Sequence, residues 1–108
     1  MRKLLLSLVL AAAIAPSASS ATRVKVGDNY FVRPRGVPTV TVAKGTRVKW
    51  VWTGDSLHNV TVVSGPARFR SASKTSGTYT KQVRRRGTYT IVCTIHTGKD
   101  QKMRLVVK

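Results

Sequence analysis

The residues of this sequence with the clearest chemical potential are one cysteine and two histidines. Cys93 and His96 stand three positions apart, and His58 lies well upstream; the chain has no other Cys or His. A thiolate and two imidazoles form the trigonal ligand set of electron-transfer copper sites, in which a weak axial ligand completes the coordination. Because sulfur favours Cu(I) and imidazole suits both oxidation states, this set is suited to one-electron chemistry.

Each of the three residues also has an ordinary interpretation. A lone Cys is commonly a small buried hydrophobic side chain, and either His taken singly fits a loop residue. Cys93 and His96 together also suggest a thiol nucleophile with its base. That chemistry needs an orienting group and an oxyanion site, and the sequence supplies no signature for either. We therefore expect a protein that is not an enzyme.

Composition excludes several other kinds of site. The 108 residues include 20 Lys and Arg against three acids, all Asp, for a formal charge of +17. One Cys excludes an intrachain disulfide scaffold and zinc sites built from three or four cysteines. The scattered aspartates give no basis for paired-carboxylate catalysis. An apolar fraction of 42% is enough for the core of one small domain.

The amino end has the pattern of a secretory signal peptide. Two positive charges lie in the first three residues, residues 4–15 are apolar, and small residues lead to Ala21. We predict a signal peptide over 1–21 and one domain over 22–108, with no transmembrane anchor after cleavage. The protein is then secreted or periplasmic, in the cell envelope. An unpaired Cys in such an oxidising compartment is expected to be buried, linked or metal-bound.

The remaining chain is predicted to consist of short strands. Apolar residues alternate with polar ones in the segments TVTV, RVKWVW, HNVTVV, TYTIVC and MRLVV, and Gly-rich turn signals separate these segments. This pattern predicts an all-β sandwich or small barrel of about seven strands. Residues 67–77 are predicted to connect two sheets. The strand ends that bear His58 and Cys93 are expected to lie side by side.

The order and spacing of these stretches resemble the cupredoxins, the plastocyanin- and amicyanin-like blue copper proteins. The resemblance runs through VKVGDNYF, TVTVAKGTRVKWVW, DSLHNV, FRS, GTYTKQV and GTYTIVCTIH. It implies a Greek-key β-sandwich of about seven to eight strands with one copper ion per chain, cycling between Cu(I) and Cu(II). It implies His58, Cys93 and His96 as ligands, with Asn59 hydrogen-bonded to Thr94 to tie the two ligand loops together.

The axial position departs from the family pattern. Relatives read Cys-x-x-His-x-x-Met, which places Lys99 where a methionine is usual, and the nearest Met is Met103. Met103 either reaches copper from a lengthened loop or faces the core with Leu105 and Val107; we favour the second, because register is strongly specified where one face is buried. A lysine ammonium near copper would disfavour Cu(II) and raise the reduction potential.

The positive charge predicts an acidic partner. Basic residues are spread along the chain, with one run, Arg84-Arg85-Arg86, before Gly87, where we predict a hairpin turn. Such a surface favours encounter with an acidic redox partner protein or an anionic cell surface. Nucleic-acid binding is the competing hypothesis, disfavoured by export and by an aromatic content of 6%.

The sequence thus predicts a secreted, monomeric, mononuclear copper protein that acts in electron transfer. Two alternatives stay open. One is a copper carrier or scavenger, which needs binding but no defined potential. The other is a degenerate cupredoxin that serves as a basic surface- or nucleic-acid-binding module.

Overall fold

The chain folds into two packed β-sheets. A computed structural model describes residues 21–96 and 101–108; Lys99 and all but the last residue of the predicted signal peptide 1–21 lie outside the described residues. Eight strands are present in this part of the chain: β1 Ala21–Gly27, β2 Tyr30–Phe31, β3 Thr39–Val42, β4 Arg47–Trp52, β5 Thr61–Ser64, β6 Thr78–Gln82, β7 Gly87–Val92 and β8 Lys102–Val107. The predicted all-β Greek-key sandwich of seven to eight strands is confirmed.

Each sheet has four strands and one parallel pair. The first sheet has the order β2-β1-β4-β6, with β1 and β4 parallel, and the second has the order β3-β8-β7-β5, with β3 and β8 parallel. The other neighbouring strands are antiparallel. Since chain neighbours such as β5 and β6 lie in different sheets, the connections cross repeatedly from one layer to the other.

Alternating side chains from the two sheets fill the space between them. In β4, Val48, Trp50 and Trp52 face inward while Arg47 is exposed, and both tryptophans are buried. The same period of two buries Met103, Leu105 and Val107 on β8. Because successive residues of a strand point to opposite faces, this alternation fixes which side chains enter the core.

Of the two connections predicted from the sequence, one agrees with the structure and the other does not. The segment that precedes β6 does lead from one sheet to the other, as predicted. The Arg84-Arg85-Arg86 run is not on a hairpin turn, because it joins β6 of the first sheet to β7 of the second. The buried Tyr89 holds this connection by donating its hydroxyl to the Arg85 carbonyl at 2.7 Å.

The fold brings the start of β5 beside the end of β7. These strands are antiparallel, and Thr61 pairs with Val92 at that end of the sheet. His58 and Cys93 lie just outside this pair, so they share one end of the sandwich as predicted. Within 21–96 and 101–108, no helix has the length and apolar character needed to cross a membrane.

Candidate metal centre

The structure gathers the three predicted ligands at one end of the sandwich. The candidate ligand atoms of His58, Cys93 and His96 all lie within 4.8 Å of one another. His58 and Cys93 are buried, with 0% and 1% of their surface exposed, whereas His96 is half-buried. The cluster is therefore closed on the protein side and open only at His96.

His58 is fixed in its backbone and in its ring. The His58 N–H donates to the Lys74 carbonyl and the His58 carbonyl accepts from the Lys74 N–H, both at 3.0 Å. This pair of hydrogen bonds forms an isolated β-bridge just before β5. The His58 Nδ1 lies 3.9 Å from Cys93 Sγ. The ring centroids of His58 and His96 are 4.7 Å apart. Two imidazoles and one sulfur thus converge on a small volume.

An aspartate determines which nitrogen of His58 faces the sulfur. Asp28 Oδ1 lies 2.8 Å from His58 Nε2. The hydrogen bond from His58, followed by those from the Asp55 and Ser56 amides, lowers the pKa of the Asp28 carboxyl to about 2. An ionised carboxylate only accepts hydrogen bonds, so Nε2 carries a proton and Nδ1 is the ring nitrogen that faces Cys93 Sγ. A carboxylate partner of this kind orients a ligating histidine and raises its basicity.

A glycine makes room for this carboxylate. Asp28 lies in the turn between β1 and β2, and a Cβ added at Gly54 would collide with its carboxylate oxygen Oδ1. The Thr53 amide donates to the Val26 carbonyl at 2.9 Å, which fixes the Gly54 loop against the β1–β2 turn. The sequence gives no local signal for the contact between Asp28 and His58, because the two residues are 30 positions apart in the chain.

His96 is held more lightly. Its Nε2 lies 3.0 Å from the carbonyl oxygen of Leu57, which is the residue before His58. Since a carbonyl only accepts, Nε2 carries the proton and Nδ1 is the nitrogen available for a metal. This contact is the single hydrogen bond of the His96 ring within the described part of the chain.

Asn59 and Thr94 link the two ligand-bearing loops. The Asn59 amide group donates to Thr94 Oγ1 at 2.9 Å, and the Thr94 backbone N–H donates to Asn59 Oδ1 at 3.1 Å. The Asn59 backbone N–H also lies 3.5 Å from Cys93 Sγ and points a donor at the sulfur. The contact expected from the resemblance is therefore present. It holds the His58 and Cys93 loops at a fixed separation.

The donor set fits copper chemically. Three strong ligand atoms, two nitrogens and one sulfur, are present in a buried pocket whose histidine tautomers are set by acceptors on the far side of each ring. Of the expected axial residues, Lys99 lies outside the described residues. Met103 is fully buried in β8 opposite Ile91.

Comparison with solved structures defines the class of the fold, which is that of a cupredoxin. A Cu(I) structure of an amicyanin variant with methionine replaced by glutamine aligns with a TM-score of 0.68, 24% identity, 86% of this chain and 95% of that chain. A Cu(I) form of an amicyanin variant with methionine replaced by alanine aligns with a TM-score of 0.68 and 26% identity, over 87% of this chain and 88% of that chain. An oxidised amicyanin variant with methionine replaced by lysine aligns with a TM-score of 0.67 and 24% identity, over 86% of this chain and 95% of that chain. No protein-family profile and no curated sequence matches the chain.

Proposed function

We propose that this chain is an exported mononuclear copper protein that carries single electrons. The observation that carries the proposal is the convergence of His58, Cys93 and His96 to within 4.8 Å at one end of a cupredoxin sandwich. When bound, a single copper ion supplies a one-electron couple between Cu(I) and Cu(II). Neighbouring residues of the chain hold His58, Cys93 and His96 in place.

The hydrogen bonds around the cluster support a redox role over simple storage. Asp28 fixes the ring of His58, and Asn59 ties its own loop to Thr94. The Asn59 N–H stabilises negative charge on Cys93 Sγ. Ligands held by the protein frame keep similar positions in both oxidation states, which lowers the rearrangement needed for each electron transfer.

Electron exchange with a partner takes place at His96. It is the only one of the three ligands that is not buried. Leu57, whose carbonyl bonds to the His96 ring, is 44% exposed. Ile95, which precedes His96 in the chain, is 40% exposed. Apolar side chains around a half-buried ligand allow a partner to approach closely, because little bound water must be removed.

The partner is an acidic redox protein, or the chain is retained at an anionic cell surface. The sequence has 20 Lys and Arg against three acids. Opposite charge speeds encounter, and salt screens the effect over about 10 Å at 0.1 M ionic strength. Electron-transfer rates with an acidic partner are expected to fall as ionic strength rises.

The test is a Cu(II) titration of the purified protein, followed by the visible thiolate-to-copper charge-transfer band. We expect the band to saturate at one copper per chain. Cys93→Ser is expected to abolish it, while Thr90→Ser, an equally small change on β7, leaves it in place. A colourless protein with a freely reactive Cys93 thiol would refute the proposal.

A copper carrier is the second candidate, and the exposure of His96 favours it. A metal reached from solvent on one side is open to a competing ligand. Fast, reversible cycling at an electrode distinguishes an electron carrier from a copper carrier. Rapid loss of copper to a soluble chelator on each reduction would favour the copper carrier. Folded protein that takes up no copper would instead indicate the basic binding module.

A further inference from the structure

One buried oxygen near the cluster has no hydrogen-bond partner. Gln101 is 2% exposed, and its Oε1 is the only buried side-chain acceptor without a partner among the described residues. The other two unpartnered buried atoms are indole N–H donors, on Trp50 and Trp52. A buried amide oxygen left unpaired is costly, so its position calls for a physical reason.

The orientation of the Gln101 amide is set by its nitrogen. Nε2 lies 3.1 Å from the Gly27 carbonyl oxygen and 3.0 Å from the Tyr30 carbonyl oxygen. Both of its N–H groups therefore have acceptors, and the flipped amide would bring an oxygen against two carbonyl oxygens. The two hydrogen bonds attach the amide to the turn that carries Asp28, and they leave Oε1 without a hydrogen-bond partner among the described residues.

Gln101 lies next to the cysteine across the sheet. The Cys93 N–H donates to the Gln101 carbonyl at 3.1 Å, which continues the β7–β8 register one pair beyond Val92 and Lys102. Directly paired residues of an antiparallel sheet project their side chains on the same face. Both side chains are buried, so the Gln101 amide projects into the interior from the same face of the sheet as the Cys93 thiol.

We propose that Gln101 Oε1 is the axial ligand of the metal held by His58, Cys93 and His96. This inference rests on the copper site proposed above and names its fourth donor. A glutamine oxygen is one of the axial donors found in trigonal His–His–Cys copper sites. The assignment replaces both expectations from the sequence, which considered Lys99 and Met103.

Met103 fits the axial role less well. It shares the inward face of β8 with Gln101, but it pairs with Ile91, one inward step further from Cys93. Its apolar side chain has no polar atom whose desolvation a metal would offset.

The assignment reverses the expected sign of the reduction potential. A lysine ammonium at the axial position disfavours Cu(II) and raises the potential. An amide oxygen is a harder donor than a thioether, so it favours Cu(II) and lowers the potential.

The first test measures the reduction potential of the copper-loaded protein and of Gln101→Met and Gln101→Leu. Both variants are expected to have a higher potential, by about 59 mV for each tenfold loss of Cu(II) affinity relative to Cu(I). Gln82→Met is the matched control, since the Gln82 amide donates to the Gly45 carbonyl outside the cluster. Met103→Leu and Lys99→Met are expected to change the potential less than Gln101→Met.

The second test needs no variant and so does not depend on the folding of one. In the Co(II)-substituted wild-type protein, the side-chain amide protons of Gln101 are expected to show contact-shifted NMR signals. Amide signals at their ordinary positions would overturn the assignment, as would a potential that follows Lys99→Met or Met103→Leu but not Gln101→Met. If either of these results is obtained while the wild-type protein still shows the charge-transfer band, only the assignment of the axial ligand is refuted. Failure to bind copper at all refutes the proposed function as well.

Discussion

The two histidines of the cluster are held by contrasting regions of the molecule. His58 is fully buried, bridged to Lys74 through its backbone and hydrogen-bonded to the Asp28 carboxylate. His96 is half-buried on the loop after β7, and one hydrogen bond to a carbonyl holds its ring. Under the proposed function, this difference would divide the roles of the two regions: the His58 side would fix the metal, and the His96 side would meet the partner.

The largest expected effect separates the two histidines directly. His58→Gly removes a fully buried ring and leaves the Asp28 carboxylate without its donor, so we expect copper binding to be lost. His96→Gly opens the site to solvent, and added imidazole is expected to restore the charge-transfer band. The band, measured with and without imidazole, checks both outcomes. Equal rescue of the two variants would contradict the contrast.

The next effect concerns the carboxylate behind His58. Asp28→Asn keeps the shape but removes the charge that orients and polarises the ring. Loss of such a partner typically costs about 10- to 100-fold in metal affinity. Competition with a copper chelator measures it, and Asp55→Asn is the control, because Asp55 contacts Asp28 through its backbone. Equal affinities for Asp28→Asn and wild type would show that the carboxylate is not needed.

A smaller effect of the same sign is expected at Gly54. The added methyl of Gly54→Ala meets the Asp28 carboxylate, which must move away from His58. Copper affinity is expected to fall by less than in Asp28→Asn. Ser56→Ala, which keeps the backbone donor to Asp28, serves as the control. If Gly54→Ala weakens binding in an Asp28→Asn background as much as in wild type, the effect does not pass through the carboxylate.

The smallest effect concerns the link between the two regions. Thr94→Val removes the hydroxyl that accepts from Asn59 but keeps the Thr94 backbone donor. A single hydrogen bond of this kind contributes about 1 kcal/mol. Urea unfolding of the metal-free protein is expected to show a loss of this size. Thr88→Val, on the exposed part of β7, is the control. No difference between the two variants would mean that the link does not stabilise the fold.

The sequence predicted the parts of the site that rest on strand alternation. The all-β sandwich and the proximity of His58 to Cys93 follow from period-two patterns and from antiparallel pairing of strand ends. Asp28 could not be predicted, because its contact with His58 depends on how the β1–β2 turn docks against the loop at Gly54. The Arg84-Arg85-Arg86 run looked like a hairpin because turn residues do not reveal whether a connection changes sheet.

Gln101 was overlooked for a related reason. A glutamine near a strand start ordinarily indicates an exposed position, and the family pattern directed attention to Lys99 and Met103. Its burial becomes visible only when the pairing with Cys93 and the two carbonyl acceptors of the β1–β2 turn are known.

Copper K-edge X-ray absorption of the loaded protein, recorded in both oxidation states, tests the central claim most directly. We expect one sulfur and two nitrogen atoms as the close neighbours in each state, besides the weakly bound axial oxygen of Gln101, with distances that change little between Cu(II) and Cu(I). A copper ion without a sulfur neighbour, or one that changes its ligand set on reduction, would contradict a site built from His58, Cys93 and His96 for electron transfer.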